Sequence, residues 1–157
     1  MQTLALTSVA RHVPLRIRTC RPTEFLDVTD FVTAVVEEAR LWLGIVNIQT
    51  RHTTTAIVVN EHEPLLLDDF AGLLDLIAPS AWSYGHDDLS RRQVNLTPDE
   101  RVNGHAHCRA LFLPSSACLN VAEGALQLGR WQRIFLVELD GPREREISLV
   151  VSGEARS

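Results

Sequence analysis

Residues 116–151 read SACLNVAEGALQLGRWQRIFLVELDGPREREISLVV, and this stretch decides the fold. It is rich in β-branched and long apolar residues, which suit a pleated, half-buried surface. Two turn signatures divide it, Glu123-Gly124 and Asp140-Gly141-Pro142, each built from residue types that favour tight turns. The pieces between them predict strands over 116–121, 125–128, 131–139 and 144–151. The chain therefore closes on a run of strands joined by short turns, which predicts antiparallel pairing.

Upstream the periodicity changes. Asn103 is placed to cap a short helix, HAHCRALFL, stopped by Pro114. Residues 80–102 form the most polar long segment, and a loop of that length in a small domain signals function or mobility. Pro64 stands where a helix gains from proline at its first position. Leu66, Phe70, Leu73, Leu74 and Ile77 then recur at helical spacing up to Pro79. Residues 45–49 and 54–59 predict strands on either side of Arg51 to Thr53. Val28, Phe31, Val32, Val35, Ala39 and Trp42 predict an amphipathic helix over 28–43, with Asp27 or Thr29 as cap and Gly44 as stop. Val13, Leu15 and Ile17 predict a half-buried strand over 13–20, and residues 1–12 a loose terminus. The expected fold is α+β over a single domain, 1–157, with a mixed, largely antiparallel sheet packed by two main helices and one short helix.

Composition excludes several function classes. At 157 residues the chain is shorter than the roughly 200 residues of the smallest (β/α)8 barrels. All fifteen cationic side chains are arginine, which removes a Schiff-base or Walker lysine but leaves guanidinium forks suited to phosphate. The net charge of -5, with no basic run, argues against a nucleic-acid partner. No apolar run reaches the roughly 18 residues of a membrane span, and no leader pattern is visible. Cys20, Cys108 and Cys118 form no CxxC pair, so a disulfide framework is not expected and the expected location is cytoplasmic. Glycine-rich phosphate loops and a Gly-x-Ser-x-Gly elbow are both absent.

Chemistry is carried first by histidines. His52, His86 and His107 form a candidate metal trio, since catalytic zinc takes three protein ligands and keeps one position open. Their spacing is not a short ligand motif, and ordinary polar histidines remain the alternative. His105 and His107, two apart, diverge on a helix, so only one of them joins such a site. Glu61, after a strand, and Asp69, on the following helix, could hold Mg²⁺ or act as acid and base; Asp68 is the neighbouring alternative, and a helix N-terminus with a solvated face is the plainer reading. Ser115 and Ser116, where helix gives way to strand, present backbone N–H groups to an anion. Cys108, beside His107 on the short helix, could be nucleophilic, with a buried, inert thiol the commoner outcome. Arg109, Arg130, Arg133, Arg143 and Arg145 are candidates for phosphate, most of them expected on strand surfaces. Trp131 is expected to pack in a core or interface.

Taken together, HTTTAIVVNE, the helix with Asp69, His86, NGHAHCRALFLPSS and GALQLGRWQRIFLVELDGPRERE resemble the YjbQ-like family, described as secondary thiamine-phosphate synthases. The resemblance runs from about residue 13 to residue 153. It implies an α+β homotrimer with one pocket near the subunit interface. The family's recurrent polar positions match His52, Thr53, Thr54, Asn60, Glu61, Asp69, His86, Asn103, His107, Ser116 and Trp131-Gln132. The chain departs where an acid becomes His105, where a glycine becomes Pro114, and in a longer loop between His86 and Asn103.

The implied reaction joins a pyrimidine methyl diphosphate to a thiazole phosphate with loss of pyrophosphate. Charge on the leaving group then needs Mg²⁺ or arginine. In that reading Glu61, Asp69 and His107 are catalytic. Thr53, Thr54, Asn103, Arg109, Ser115 and Ser116 bind the anion, Glu61 and Asp69 could hold Mg²⁺, and His52, His86 and His107 are the metal set if the ion is zinc. The expected partner is a small phosphorylated metabolite. Two alternatives stand beside it: a metal-dependent hydrolase with three histidine ligands and Glu61 as base, and a non-catalytic trimer binding an anionic metabolite.

Overall fold

Ile134 to Glu138 are all buried, because this strand is covered on both faces. The structure is a computed structural model and describes residues 5–157. Its strands are β1 Leu6–Arg18, β2 Glu24–Asp27, β3 Leu41–Thr50, β4 Thr55–Glu61, β5 Ser116–Ala122, β6 Ala125–Leu126, β7 Gln132–Glu138 and β8 Glu144–Arg156. The helices are α1 Thr29–Glu38, α2 Pro64–Ile77 and α3 Gly104–Ala110, with one short 3₁₀ turn at Gly85–Asp87. Every strand pair is antiparallel, in two sheets ordered β1-β8-β3-β5-β6 and β2-β7-β4. The α+β class with two main helices and one short helix is as expected; the sheet is divided in two.

Alternation along β7 assigns its side chains to two cores. Ile134 and Leu136 join Val46, Ile48, Ile147 and Leu149 of the larger sheet and Val32, Val35 and Val36 of α1. Phe135, Val137 and Leu139 pack instead with Ala56, with Leu74 of α2 and with Ala106 of α3. Removal of the Phe135 side chain would open a cavity and fits the class of large-to-small changes that destabilise by about 3–5 kcal/mol.

Three expectations are corrected. Residues 6–12 are not loose: they extend β1, which pairs with β8 from Leu6↔Arg156 to Arg18↔Glu144. Residues 1–4 lie outside the described residues. The helix expected over 28–43 ends at Glu38, because Arg40 adopts a left-handed φ of 49°. The chain then enters β3, where Leu41, Val46 and Ile48 are buried in the core. Gly44 stops nothing. It faces Gly153 across β3 and β8, and a Cβ on Gly44 would come within 2.2 Å of the Ser152 carbonyl oxygen. β2 carries no strong pattern and is missing from the sequence expectation.

Asp27 ties β2 to α1 and β7. It accepts from the Thr29 N–H at 2.9 Å and the Arg133 Nε at 2.7 Å, with His62 Nδ1 at 3.0 Å. Burial alone would raise its pKa, but the Arg133, Thr29 and His62 contacts outweigh burial and lower it to about 2. The stabilisation is present above the unfolded value near 3.8 and is lost as pH falls through 2. The Asp27→Asn variant is expected to lose about 2 kcal/mol at pH 7 in urea unfolding and to flatten the acid limb between pH 4 and 2. An unchanged acid limb would remove Asp27 from this role.

Candidate active site

The polar groups gather where β7 ends and β4 begins. Glu138, fully buried, accepts from the Arg145 Nε at 2.6 Å, from Thr19 Oγ1 at 3.0 Å and from the Leu139 and Asp140 N–H groups at 2.9 and 2.8 Å. Burial pushes the Glu138 carboxyl up, and the Arg145 hydrogen bonds bring it below its usual value. Arg145 Nη2 also donates to Thr54 Oγ1 at 3.1 Å. Arg145 is therefore no surface arginine. The pattern that could have found the pair is the alternation itself. Arg145 shares a face with Ile147 and Leu149, and Glu138 shares one with Ile134 and Leu136.

Two residues beyond Glu138, buried Asp140 accepts from Asn103 Nδ2 at 2.9 Å and pairs with Arg143 at 3.0 Å. Asn103 holds the N-cap position of α3, but its side chain is turned to Asp140. Capping falls to Asp87, whose Oδ1 accepts the Asn103 and Gly104 N–H groups at 2.9 and 2.8 Å. That link fixes His86 beside α3, and the His86 and His107 rings meet edge to face at 4.6 Å. His86 Nε2 and Asn103 Oδ1 are buried without a hydrogen-bond partner. Such atoms are rare and mark places that a ligand or water completes. Burial and then neighbouring His86 hold His107 below its usual pKa, so it is neutral near pH 7. His86 also lines a cleft of about 490 Å³ with Gly85, Arg91, Arg92, Val94 and Asn95. Arg92 donates to Glu100 at 2.5 Å and to the Asn95 carbonyl at 2.8 Å, which pins the long loop into the cleft wall.

The other candidates fall elsewhere. His52 lines a different cleft, with Arg16, Glu144, Arg145 and Glu146, and its Nε2 accepts the Glu146 N–H at 2.9 Å. Burial and then Arg145 lower its pKa. That lone pair is committed, and no group of three or more His, Cys, Asp or Glu among the described residues is arranged to hold a metal. Within one chain the donor set does not fit a three-histidine zinc site. Arg109 is buried and donates to the Ala78 carbonyl, Thr23 and Asp75 at 2.9, 3.2 and 2.6 Å. Thr53, Ser115 and Ser116 are exposed near the β3–β4 turn, where the Ser115 carbonyl accepts the Thr50 N–H at 2.9 Å. Glu61 is exposed at the far end of β4, six residues and roughly 20 Å from Thr55. Asp69 and Asp68 lie on the exposed face of α2, which Glu63 caps by accepting the Leu65 and Leu66 N–H groups. Cys108, expected to be buried, is exposed, as are Cys20 and Cys118. Trp131 is exposed too.

The antiparallel α+β fold thus sets a histidine pair beside an arginine-lined cleft. The model of the UPF0047 protein YjbQ-like family matches residues 14–154. The chain belongs to that family. It is 39% identical to a UPF0047 protein of Methanothermobacter thermautotrophicus over 89% of this chain and 90% of that one. It is 31% identical to UPF0047 protein YugU of Bacillus subtilis over 88% and 97% of the two chains. Among solved structures it resembles a YbjQ-like protein of unknown function from Sulfolobus solfataricus, with a TM-score of 0.83 and 36% identity over 94% and 99% of the chains. No helix among the described residues is long and apolar enough to cross a membrane.

Proposed function

We propose that the chain is a transferase of phosphorylated metabolites, of the thiamine-phosphate-synthase type, working as a cytoplasmic homotrimer. The observation that carries this reading is the His86–His107 pair, with the Nε2 of His86 buried and unpartnered, beside a cleft lined by Arg91 and Arg92. Imidazole and two guanidiniums suit a diphosphate. In the reaction the pyrimidine methylene–oxygen bond breaks and pyrophosphate takes the electron pair. The thiazole nitrogen gives its lone pair to the same carbon. Arg91 and Arg92 take up charge on the leaving oxygens, and His107, as imidazolium, gives its proton to the leaving pyrophosphate and becomes neutral. Mg²⁺ would arrive with the diphosphate, as part of the substrate.

Glu61 at the end of β4 and Asp69 on the exposed face of α2 do not line this cleft, and in this reading a neighbouring subunit of the trimer brings them to it. Support comes from α2, where Leu65, Leu73 and Leu76 are exposed, and from Leu111 and Phe112, also exposed. Apolar surface of this kind marks an interface.

The test is pyrophosphate release from the pyrimidine diphosphate and the thiazole phosphate with Mg²⁺, with mass in solution measured by light scattering. The His107→Ala variant is expected to slow release by about 10²–10⁴-fold. Because imidazolium is the form that gives up a proton and the His107 pKa lies below 6.5, activity is expected to rise as pH falls from 7 toward that lowered pKa. Binding without turnover, with Glu61→Gln tolerated, would replace the proposal with an anion-binding trimer. Stoichiometric zinc lost in His52→Ala and His107→Ala would replace it with the hydrolase.

A further inference from the structure

We infer that the cleft between β2 and α2 is a binding site for a free α-amino acid with an apolar side chain. It shares no lining residue with the His86 cleft and stands apart from the transferase reading. Its volume is about 380 Å³. Pro64, Leu67, Asp68 and Ala71 line it at the spacing of one face of α2, with Phe25 of β2 opposite and His62 of the β4–α2 link beside them. The His62 ring is fixed by two contacts. Its Nδ1 meets Asp27 Oδ2 at 3.0 Å, and it stands edge to face with buried Phe135, centroids 5.4 Å apart. Asp27 is a carboxylate above a pH of about 2 and only accepts, so the ring proton sits on Nδ1. The neutral ring therefore offers a lone pair at Nε2, which has no partner among the described residues.

Two opposite charges line the same cleft, the Arg21 guanidinium and the Asp68 carboxylate, and neither has an ion-pair partner among the described residues. The remaining polar groups of the cleft are committed. Glu24 Oε2 accepts the Cys20 and Arg21 N–H groups at 2.6 and 3.2 Å, and Thr23 Oγ1 accepts from Arg109 at 3.2 Å. What stays open is one cation, one carboxylate, one lone pair and an apolar wall of Phe25, Pro64, Leu67 and Ala71. An apolar α-amino acid matches all four. Its carboxylate takes the guanidinium fork, its three ammonium protons find Asp68 and the His62 Nε2, and its side chain lies on the wall. An inorganic anion would leave Asp68 and the wall unused, and a simple amine would leave Arg21 unused.

The experiment is calorimetric titration of the full chain at neutral pH with L-phenylalanine, for which a Kd below about 1 mM is expected. N-acetyl-L-phenylalanine lacks the ammonium, L-phenylalaninamide lacks the carboxylate and L-serine lacks the apolar side chain. Each should bind at least about 10-fold more weakly. Arg21→Gln and Asp68→Asn should each weaken L-phenylalanine about 10- to 100-fold, the range of one lost charge-assisted hydrogen bond. Both residues are exposed, so the fold withstands the change. His62→Ala should weaken binding about 5- to 10-fold. It also removes a contact of Asp27, so its urea midpoint is measured alongside; should it fail to fold, the two exposed variants decide. No saturable heat from wild-type protein at about 10 mM L-phenylalanine overturns the site. So does unchanged affinity in any folded variant, or equal affinity for the amide or the N-acetyl derivative.

Discussion

Replacing Arg145 by Met is expected to destabilise the fold by about 3–5 kcal/mol, read as a lower urea midpoint with unchanged slope. The guanidinium and the Glu138 carboxylate are both buried and share two hydrogen bonds, at 2.6 and 2.5 Å. Methionine fills similar volume but leaves a carboxylate with no cation in a dry interior. The double variant Arg145→Met with Glu138→Leu is expected to recover most of that loss, since removing both charges together strands neither. Thr19 and the Leu139 and Asp140 N–H groups would still lose their acceptor, so recovery stays incomplete. A single variant as stable as the double would show that the pair is not a coupled unit.

The second large effect is expected at the crossing of β3 and β8. Gly44 and Gly153 face each other in register, and Gly153 has a φ of 151°. A Cβ on Gly153 would lie 2.3 Å from the Leu43 carbonyl oxygen and 2.6 Å from the Gly44 Cα. These are backbone atoms in a hydrogen-bonded ladder and cannot give locally. Gly153→Ala is expected to lose about 2–4 kcal/mol, combining overpacking with an unfavourable φ. Gly72→Ala, on α2 with nothing within 4 Å of its Cβ, is the matched control and should gain about 0.5–1 kcal/mol. Equal effects at the two sites in thermal unfolding would dispose of the close-approach argument.

Much of the fold was legible because its signals are local. Pro64, the apolar spacing through Ile77 and the stop at Pro79 are enough for α2, and the β-branched runs are enough for β4 and β7. What was illegible depends on distant partners. Residues 39–43 continue a helical pattern, and only pairing with β8 and β5 makes Leu41 to Leu43 a strand. The site divides the same way. His86 and His107 were visible as histidines, but their meeting depends on Asp87 capping a helix sixteen residues further on. Charged residues on apolar faces, Glu138 and Arg145, were written in the alternation and outweighed by the expectation that arginines lie outside. That Glu61 and Asp69 do not line the His86 cleft belongs to tertiary structure and has no local signature.

The pairing of β1 with β8 has a consequence during synthesis. β8 lies between β1 and β3, so residues 6–18 emerge from the ribosome more than a hundred residues before the strand that receives them. β2 and β4 wait likewise for β7. Neither sheet can close until the final quarter of the chain is made, and the nascent protein must carry its valine- and isoleucine-rich strands unpaired until then. Such non-local topologies fold in milliseconds to seconds rather than microseconds. Over that interval the growing chain depends on whatever shields exposed strands from one another.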